Sequence, residues 1–214
     1  MKRIMLAVMA AGATIAPAAT PAYAATLSAD VALTGHKVAK CLYAKRRADV
    51  VGALGTSNEA DFQRYYKTLT RSQQCRDIGV QSAEVEGAAV VVPADILRGM
   101  LAEQALADSA KFRALQPVQG ETSYQRPWFA ATGRNPTVDE MAVCTVDQNP
   151  AGVRELIDAK PEGDAELGAV RALSATLGAC LPQGATLSAN RQSLRAALAD
   201  ALYQRATASA LASK

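Results

Sequence analysis

Apolar residues recur every three or four positions through most of the chain, the spacing of an α-helix with one buried face. The second half contains a clear run of this kind: Leu167, Val170, Leu173 and Leu177. In the first half, the pattern predicts a helix ending near Tyr43, a second from Arg46 to Leu54 and a third ending near Cys75. Because alanine is also abundant and favours helix over strand, the chain is predicted to be all-α.

Polar residues and prolines mark where these helices begin. Asn149 followed by Pro150 predicts a helix start, since Asn caps well and Pro is tolerated at the first helical position. Thr137 and Glu140 have the spacing of a capping box, which predicts a start at Thr137 for the helix through Cys144.

The two halves of the sequence resemble each other. Cys41 and Cys75 are 34 positions apart, and Cys144 and Cys180 are 36 apart. Each pair is followed by a segment with the pattern L-R-x-x-L-A-[ED], at residues 97–103 and 194–200. The same features in the same order predict an internal duplication, folded as two pseudo-symmetric units of three to four helices.

The duplication sets the expected domain boundaries. The first helical unit is predicted over 25–115, an inter-unit joint over 116–136, the second unit over 137–206 and a frayed tail over 207–214. The first unit has an insertion within 76–93 that ends in a β-branched run, residues 87–93, which would form a short strand. Its weaker counterpart is 184–188, so a minor β-pairing is left open beside the all-α prediction.

The four cysteines predict two disulfides. In each unit one cysteine precedes the middle helix and its partner follows the next helix, so an antiparallel hairpin would bring both to the same end. This selects Cys41–Cys75 and Cys144–Cys180 among three possible connectivities. Each bridge would close a loop of 35 or 37 residues and so restrict the unfolded chain.

Two arginines and two acids occupy matching places in the repeated segments. Arg98 matches Arg195, and Glu103 matches Asp200. Arginine and acid lie five residues apart, so they do not face each other on one helix. We therefore predict that they pair across the interface between the units.

The first 24 residues have the three parts of a secretory signal peptide. Lys2 and Arg3 precede an uncharged apolar stretch, and Ala22-Tyr23-Ala24 matches the small-x-small cleavage pattern. The apolar stretch is shorter than the roughly 20 residues that a membrane-spanning helix needs. We expect cleavage near Ala24, no membrane anchor, and a periplasmic or secreted mature protein in an oxidising compartment.

Charge and metal-binding patterns narrow the function classes. Removing the leader lowers the formal net charge from +3 to +1, which gives no case for a nucleic-acid partner. The cysteines are far apart in sequence and His36 is the single histidine, so neither a metal site nor another cofactor is predicted.

No catalytic motif is present. His36 is the one candidate base for a nucleophilic triad, but no nucleophile motif accompanies it, and a solvent-facing or capping role is expected. Three pairs of carboxylates would suit glycosidase-type chemistry: Glu84 with Glu86, Glu59 with Asp61, and Asp139 with Glu140. Acids at such turns and first helical turns more often serve the helix dipole, so no catalytic residue is assigned.

An aromatic and basic cluster occurs in the joint of a chain that is poor in aromatics: Tyr124, Arg126, Trp128 and Phe129. Its structural role would be to fill the gap between the units. Its functional role would be to anchor a ligand or partner in a cleft between them, which makes it the candidate binding site.

With its cysteine pairs and its repeated L-R-x-x-L-A-[ED] segments, the sequence resembles a group of small exported proteins of sphingomonad-type alphaproteobacteria. The resemblance implies compartment and architecture and transfers no catalytic residue. The preferred interpretation is a non-enzymatic envelope protein that binds an envelope protein or a small ligand. The alternatives are a carboxylate-dependent hydrolase of envelope polysaccharide and a structural or stress-related periplasmic protein.

Overall fold

The protein is all-α in a computed structural model that describes residues 28–80, 92–107, 115–118 and 126–212. No strand occurs within these ranges. In the described part of the first half there are five helices: α1 (Ala29–Lys45), α2 (Arg47–Leu54), α3 (Glu59–Thr70), α4 (Gln73–Val80) and α5 (Ala94–Ala107). A 3₁₀ helix (Pro127–Ala131) precedes the four helices of the second half: α6 (Pro136–Gln148), α7 (Pro150–Asp158), α8 (Asp164–Ala179) and α9 (Arg191–Ala212).

Asn-Pro pairs start two of the helices in the second half. Asn149 caps α7 as predicted, and its side chain accepts a hydrogen bond from the Gly152 N–H at 2.9 Å. The capping-box prediction for α6 is wrong, because the helix begins one residue earlier, at Pro136. Asn135 is its cap and accepts from the Thr137 N–H at 2.9 Å. An Asn followed by Pro outcompetes the Thr–Glu pair, because Pro is preorganised for the first helical position.

The single helix predicted to end near Cys75 is two helices. The Ser72 N–H donates to the Leu69 carbonyl at 3.1 Å, which tightens the last turn of α3. Helix α4 then begins at Gln73 and carries Cys75, which is buried. The second half keeps one continuous helix, α8, up to Cys180, which is its C-terminal cap.

Both predicted disulfides are confirmed. Cys41 of α1 is bonded to Cys75 of α4 with a Cα–Cα distance of 5.8 Å. Cys144 of α6 is bonded to Cys180 at 5.6 Å. Each half is therefore closed by its own bridge, and the halves are similar.

Helices α5 and α9 hold the halves together. They carry the two repeated segments and make the most extensive helix–helix contact among the described elements. Nearly all of their facing residues are buried. Gly99 of α5 lies against Ala196 of α9, and these two residues hold matching positions in the repeat. The small side chains allow the two backbones to approach closely at the centre of the molecule.

The boundaries of the fold differ from the sequence prediction at two places. Helix α9 continues to Ala212, so it covers most of the segment that was expected to be a frayed tail. Residues 184–188 form an irregular turn rather than a strand. The leader, most of the 76–93 insertion and Tyr124 lie outside the described residues. Within the part of the chain that the structure describes, no helix is long and apolar enough to cross a membrane.

Candidate functional site

The arginine of each repeated segment contacts the C-terminal end of another helix in the same half. Arg98 donates from Nη1 and Nη2 to the carbonyls of Ala53 and Leu54, both at 2.8 Å. Arg195 donates in the same way to Leu156 at 2.9 Å and to Ile157 at 2.7 Å. The two arginines thus cap matching helices, α2 and α7, whose last carbonyls have no partner within their own helix.

The arginines also pair across the interface, as predicted. Arg98 Nε donates to Asp200 Oδ2 at 2.7 Å, and Arg195 Nε donates to Glu103 Oε1 at 2.8 Å. Each half thus contributes one arginine to a carboxylate of the other half. All four side chains are nearly or fully buried, so the pairs constrain how α5 and α9 are aligned.

The hydrogen-bonding capacity of Arg195 is fully used. Its Nη2 donates to Glu103 Oε2 at 2.9 Å, and its Nη1 donates to Glu166 Oε1 at 3.0 Å and to the Ala159 carbonyl at 3.1 Å. Burial alone would lower the pKa of Arg195, but its bonds to Glu103 and Glu166 outweigh burial and raise it. The guanidinium therefore stays charged and has no N–H left for a ligand.

Asp200 has a second partner, supplied by the joint. Arg134 donates to Asp200 Oδ2 and to Asp139 Oδ1, each at 2.7 Å, and so bridges α9 and α6. Burial acts to raise the pKa of Asp200, but Arg98 and Arg134 together overcome this and lower it. Asp139 also accepts from the Thr132 hydroxyl at 2.7 Å. The space beside Asp139 and Asp200 is therefore filled by Arg134, a residue of the joint.

The matching place in the other half is an open cleft. Counted from the first cysteine of each unit, His36 holds the position of Asp139, and Glu103 holds that of Asp200. No residue corresponding to Arg134 bridges them among the described residues. The cleft has a volume of about 360 Å³ and lies between α1, α5 and the end of α7, with contributions from both halves. Its lining is Leu33, His36, Lys37, Lys40, Glu103, Gln104, Ile157, Asp158, Ala159, Lys160, Pro161 and Arg195.

His36 forms part of the wall of this cleft. Its side chain is 14% exposed, and its Nδ1 lies 3.5 Å from Glu103 Oε2. Burial, followed by the charge of Arg195, lowers its pKa to about 4, so the ring is neutral at pH 7. The sequence-based expectation of a solvent-facing or capping histidine is corrected: His36 lies in the interior of α1 and faces the other half. The signal that would have found it is its match to Asp139 in the repeat.

The lowered pKa of His36 predicts a pH-dependent stability. The pKa of an unfolded histidine is near 6.5, and that of His36 in the folded protein is about 4. Between these two pH values the unfolded chain therefore binds a proton at His36 that the folded protein does not bind. The stability contributed by His36 is present above pH 6.5 and is lost as the pH falls toward 4. Between pH 7 and pH 4.5 we expect a loss of about 2–3 kcal/mol.

Urea unfolding at several pH values measures this effect against His36→Gln, which cannot titrate. The difference in unfolding free energy between wild type and variant should shrink by that amount as the pH falls. Parallel pH profiles would show that His36 is not shielded from protonation.

The aromatic and basic cluster lies elsewhere. Trp128 is 4% exposed and belongs to the hydrophobic core, with the 3₁₀ helix packed against α3. Phe129 meets its ring edge-on, with centroids 4.6 Å apart. Arg126 donates to Glu140 at 2.7 Å, and Tyr124 lies outside the described residues. The burial of Trp128 favours the packing role over a ligand anchor.

The carboxylate pairs do not form a site where the structure describes them. Asp139 is held by Arg134 and Thr132, and Glu140 by Arg126. Asp61, in the first turn of α3, accepts from the Asn58 amide at 2.7 Å. Glu84 and Glu86 lie outside the described residues. No group of three or more metal-binding side chains occurs within the described ranges.

Comparisons with known proteins add no relative. No protein-family model matches the chain, and neither the curated proteins nor the solved structures contain a significant match.

Proposed function

We propose that this chain is a non-enzymatic binding protein of the cell envelope, and that its ligand site is the cleft between the two halves. The observation that carries the proposal is the difference between the matching places. Arg134 fills the place beside Asp139 and Asp200, whereas the cleft beside His36 and Glu103 is open and lined by both halves. Open clefts lined by two units are where ligands preferentially bind.

The chemistry of the cleft supports binding over hydrolysis. A glycosidase needs two carboxyl groups that are free to donate a proton and to attack or activate water. Both oxygens of Glu103 accept hydrogen bonds from Arg195, which leaves Asp158 as the carboxylate in the lining without such a partner among the described residues. The cleft lining also contains no serine, threonine or cysteine that would act as a nucleophile.

The walls of the cleft are held in place before any ligand arrives. Glu162 follows Lys160 closely in the chain and accepts from Arg191 at 2.6 Å and from Gln192 at 2.7 Å. The floor is held by the Arg195–Glu103 pair. A preorganised site spends little of its binding energy on ordering itself.

The disulfides support the proposed location. Two disulfides close the fold, and disulfides persist in oxidising compartments such as the periplasm. Cleavage near Ala24 would release the mature chain there. A structural or stress-related role in the same compartment is the alternative that makes no use of the cleft.

The test is a nuclear magnetic resonance titration of the ¹⁵N-labelled mature protein with a defined panel of small carboxylates, phosphate esters, amines and neutral sugars. We expect at least one compound to shift amide signals of residues 33–40 and 157–160. Leu33→Trp, which fills the cleft, should abolish the shifts. Val51→Trp is the matched control, since Val51 is an exposed apolar residue outside the cleft lining.

Besides the absence of binding by any compound, two results would refute this proposal. One is a set of shifts that map outside the cleft or survive in Leu33→Trp. The other is hydrolysis of envelope polysaccharide by the purified protein, which would favour the carboxylate-dependent alternative.

A further inference from the structure

We infer that the cleft takes a ligand through an anionic group, a carboxylate or a phosphate, held by Lys37, Lys40 and Lys160. This inference rests on the proposed binding function and gives its ligand a chemical class.

The three lysines approach the cleft from opposite walls. Lys37 and Lys40 lie one turn apart on α1, and Lys160 follows the end of α7 in the other half. All three are exposed. Within the described part of the chain, none of their ammonium groups has a hydrogen-bond or ion-pair partner, so each keeps its donors for a ligand.

The remaining charges of the lining do not cancel this positive potential. Glu103 accepts two hydrogen bonds from Arg195, which also donates to Glu166 and has no donor left. Asp158 is the single lining carboxylate without a partner among the described residues. Three unpaired cations therefore face one unpaired anion, an excess that attracts an anionic group and repels a cationic one.

The charges that line the cleft also disfavour a cationic ligand that would bind as Arg134 does in the other half. That guanidinium sits between two carboxylates, Asp139 and Asp200. In the cleft, a neutral imidazole replaces the first of these carboxylates, and the second matches Glu103, which Arg195 already occupies. A guanidinium entering the cleft would find no free carboxylate pair and would have to pass the three lysines.

His36 is placed to couple binding to protonation. Its ring lines the cleft, so an anion bound there would favour the imidazolium form. The charged groups that face the ring from the packed elements are Glu103 of α5, Arg195 of α9, Glu166 of α8, Glu162 of the preceding loop, and the rim residues Lys37, Lys40, Asp158 and Lys160. A bound anion would raise the pKa of His36, as Glu162 and Glu166 do, and would oppose the positive charges of the lysines and of Arg195, which disfavour the imidazolium form. This coupling should strengthen wild-type binding, relative to a variant that cannot titrate at this position, as the pH falls from 7 toward 4.5.

Isothermal titration calorimetry with citrate and with inorganic phosphate tests the inference. We expect at least one of these probes to bind the mature protein. Lys40→Glu and Lys160→Glu should each weaken binding by about tenfold or more, the factor that one close charge interaction supplies. Lys67→Glu is the matched control, because Lys67 is an exposed lysine of α3 outside the cleft, and it should change affinity by less than about twofold.

Two further arms refine the result. His36→Gln lacks the coupled proton, so the affinity of wild type relative to this variant should rise as the pH falls from 7 toward 4.5, whereas the protonation of citrate or phosphate itself affects both proteins alike. Sedimentation with phosphatidylglycerol vesicles, compared with phosphatidylcholine vesicles, distinguishes a lipid headgroup from a free anion. Binding to the anionic vesicles that Lys160→Glu abolishes would identify the headgroup as the source.

The outcomes separate this inference from the proposed function. If an amine or a neutral sugar shifts the cleft signals and both lysine variants bind it as well as wild type, the anionic inference is overturned and the binding function stands. If neither citrate, phosphate nor any compound of the panel binds, both are overturned.

Discussion

Replacing Arg98 with methionine is expected to lower the free energy of unfolding by about 3–5 kcal/mol, the usual loss when one partner of a buried ion pair is removed. Arg98 and Asp200 are both 0% exposed. Methionine keeps much of the side-chain volume but leaves Asp200 with Arg134 as its remaining cation. The variant also takes away the donors that cap the carbonyls of Ala53 and Leu54.

The surroundings of Arg98 replace the lost hydrogen bonds to the two carbonyls but not the lost positive charge. The guanidinium lies over the ring of Phe62, with its carbon 5.1 Å from the ring centroid, and that cation–π contact is lost as well. Gln204 donates to the Leu54 carbonyl at 2.7 Å and keeps it satisfied. The Ala53 carbonyl still accepts a hydrogen bond from the Thr56 hydroxyl at 2.9 Å, so the expected loss comes mainly from the cation that Asp200 loses.

Arg64→Met is the matched control. Arg64 pairs with Asp61 on the exposed face of α3, and its side chain is 77% exposed, so its loss should change stability by less than about 1 kcal/mol. Urea unfolding followed by circular dichroism measures both variants. A double-mutant cycle of Arg98→Met with Asp200→Asn should show a coupling energy above about 1 kcal/mol. Equal behaviour of the two methionine variants, or absence of coupling, would contradict the role given to the pair.

The sequence predicted the features that depend on the repeat. Matching cysteines led to the two disulfides, and matching arginines and acids led to the exchange between α5 and α9. In both cases, comparing the two copies indicated which residues are close in space. The cysteines recur at the same places in each half, and the arginines and acids, which cannot pair on their own helix, were predicted to pair across the interface. The helical pattern then followed from the apolar spacing of each segment.

The candidate site could not be predicted from the sequence, because the two copies of the repeat differ there. Arg134 lies in the joint, which has no counterpart in the first half, and its salt bridges to Asp139 and Asp200 join segments far apart in sequence. His36 appeared as an isolated histidine because its partner Glu103 is 67 positions away. The aromatic residues around Trp128 led to the prediction of a binding site in the joint, but the large ring of Trp128 fills the core. In this chain the aromatic cluster marks packing, and the place where the copies differ in charge marks the cleft.

The two halves pair their buried interface carboxylates differently. A buried carboxylate needs a cation, and Asp200 has two, of which one comes from the joint. Burial raises the pKa of Glu103, and two parallel hydrogen bonds from Arg195 act against this rise. The open side therefore leaves no buried carboxylate without a cation among the described residues.

Replacing Gly99 with alanine is expected to destabilise the protein by roughly 3–4 kcal/mol, above the usual range for overpacking. A Cβ at Gly99 would lie 2.3 Å from the Cα of Ala196, 2.4 Å from its Cβ and 2.6 Å from its carbonyl oxygen. Backbone atoms cannot turn away as a side chain does, so α5 and α9 would have to separate. Since Arg98 and Glu103 lie on α5, separation would also strain both buried ion pairs.

Gly168→Ala is the matched control, and its effect should have the opposite sign. Gly168 is inside α8, and no described atom lies within 4 Å of the Cβ that would be added there. Alanine should therefore stabilise the helix by about 0.5–1 kcal/mol. Urea unfolding of both variants provides the comparison, and a change of the same sign in both would refute the close α5–α9 approach. Because Glu103 forms the floor of the cleft, Gly99→Ala should also weaken ligand binding in the folded protein, whereas Gly168→Ala should leave it unchanged.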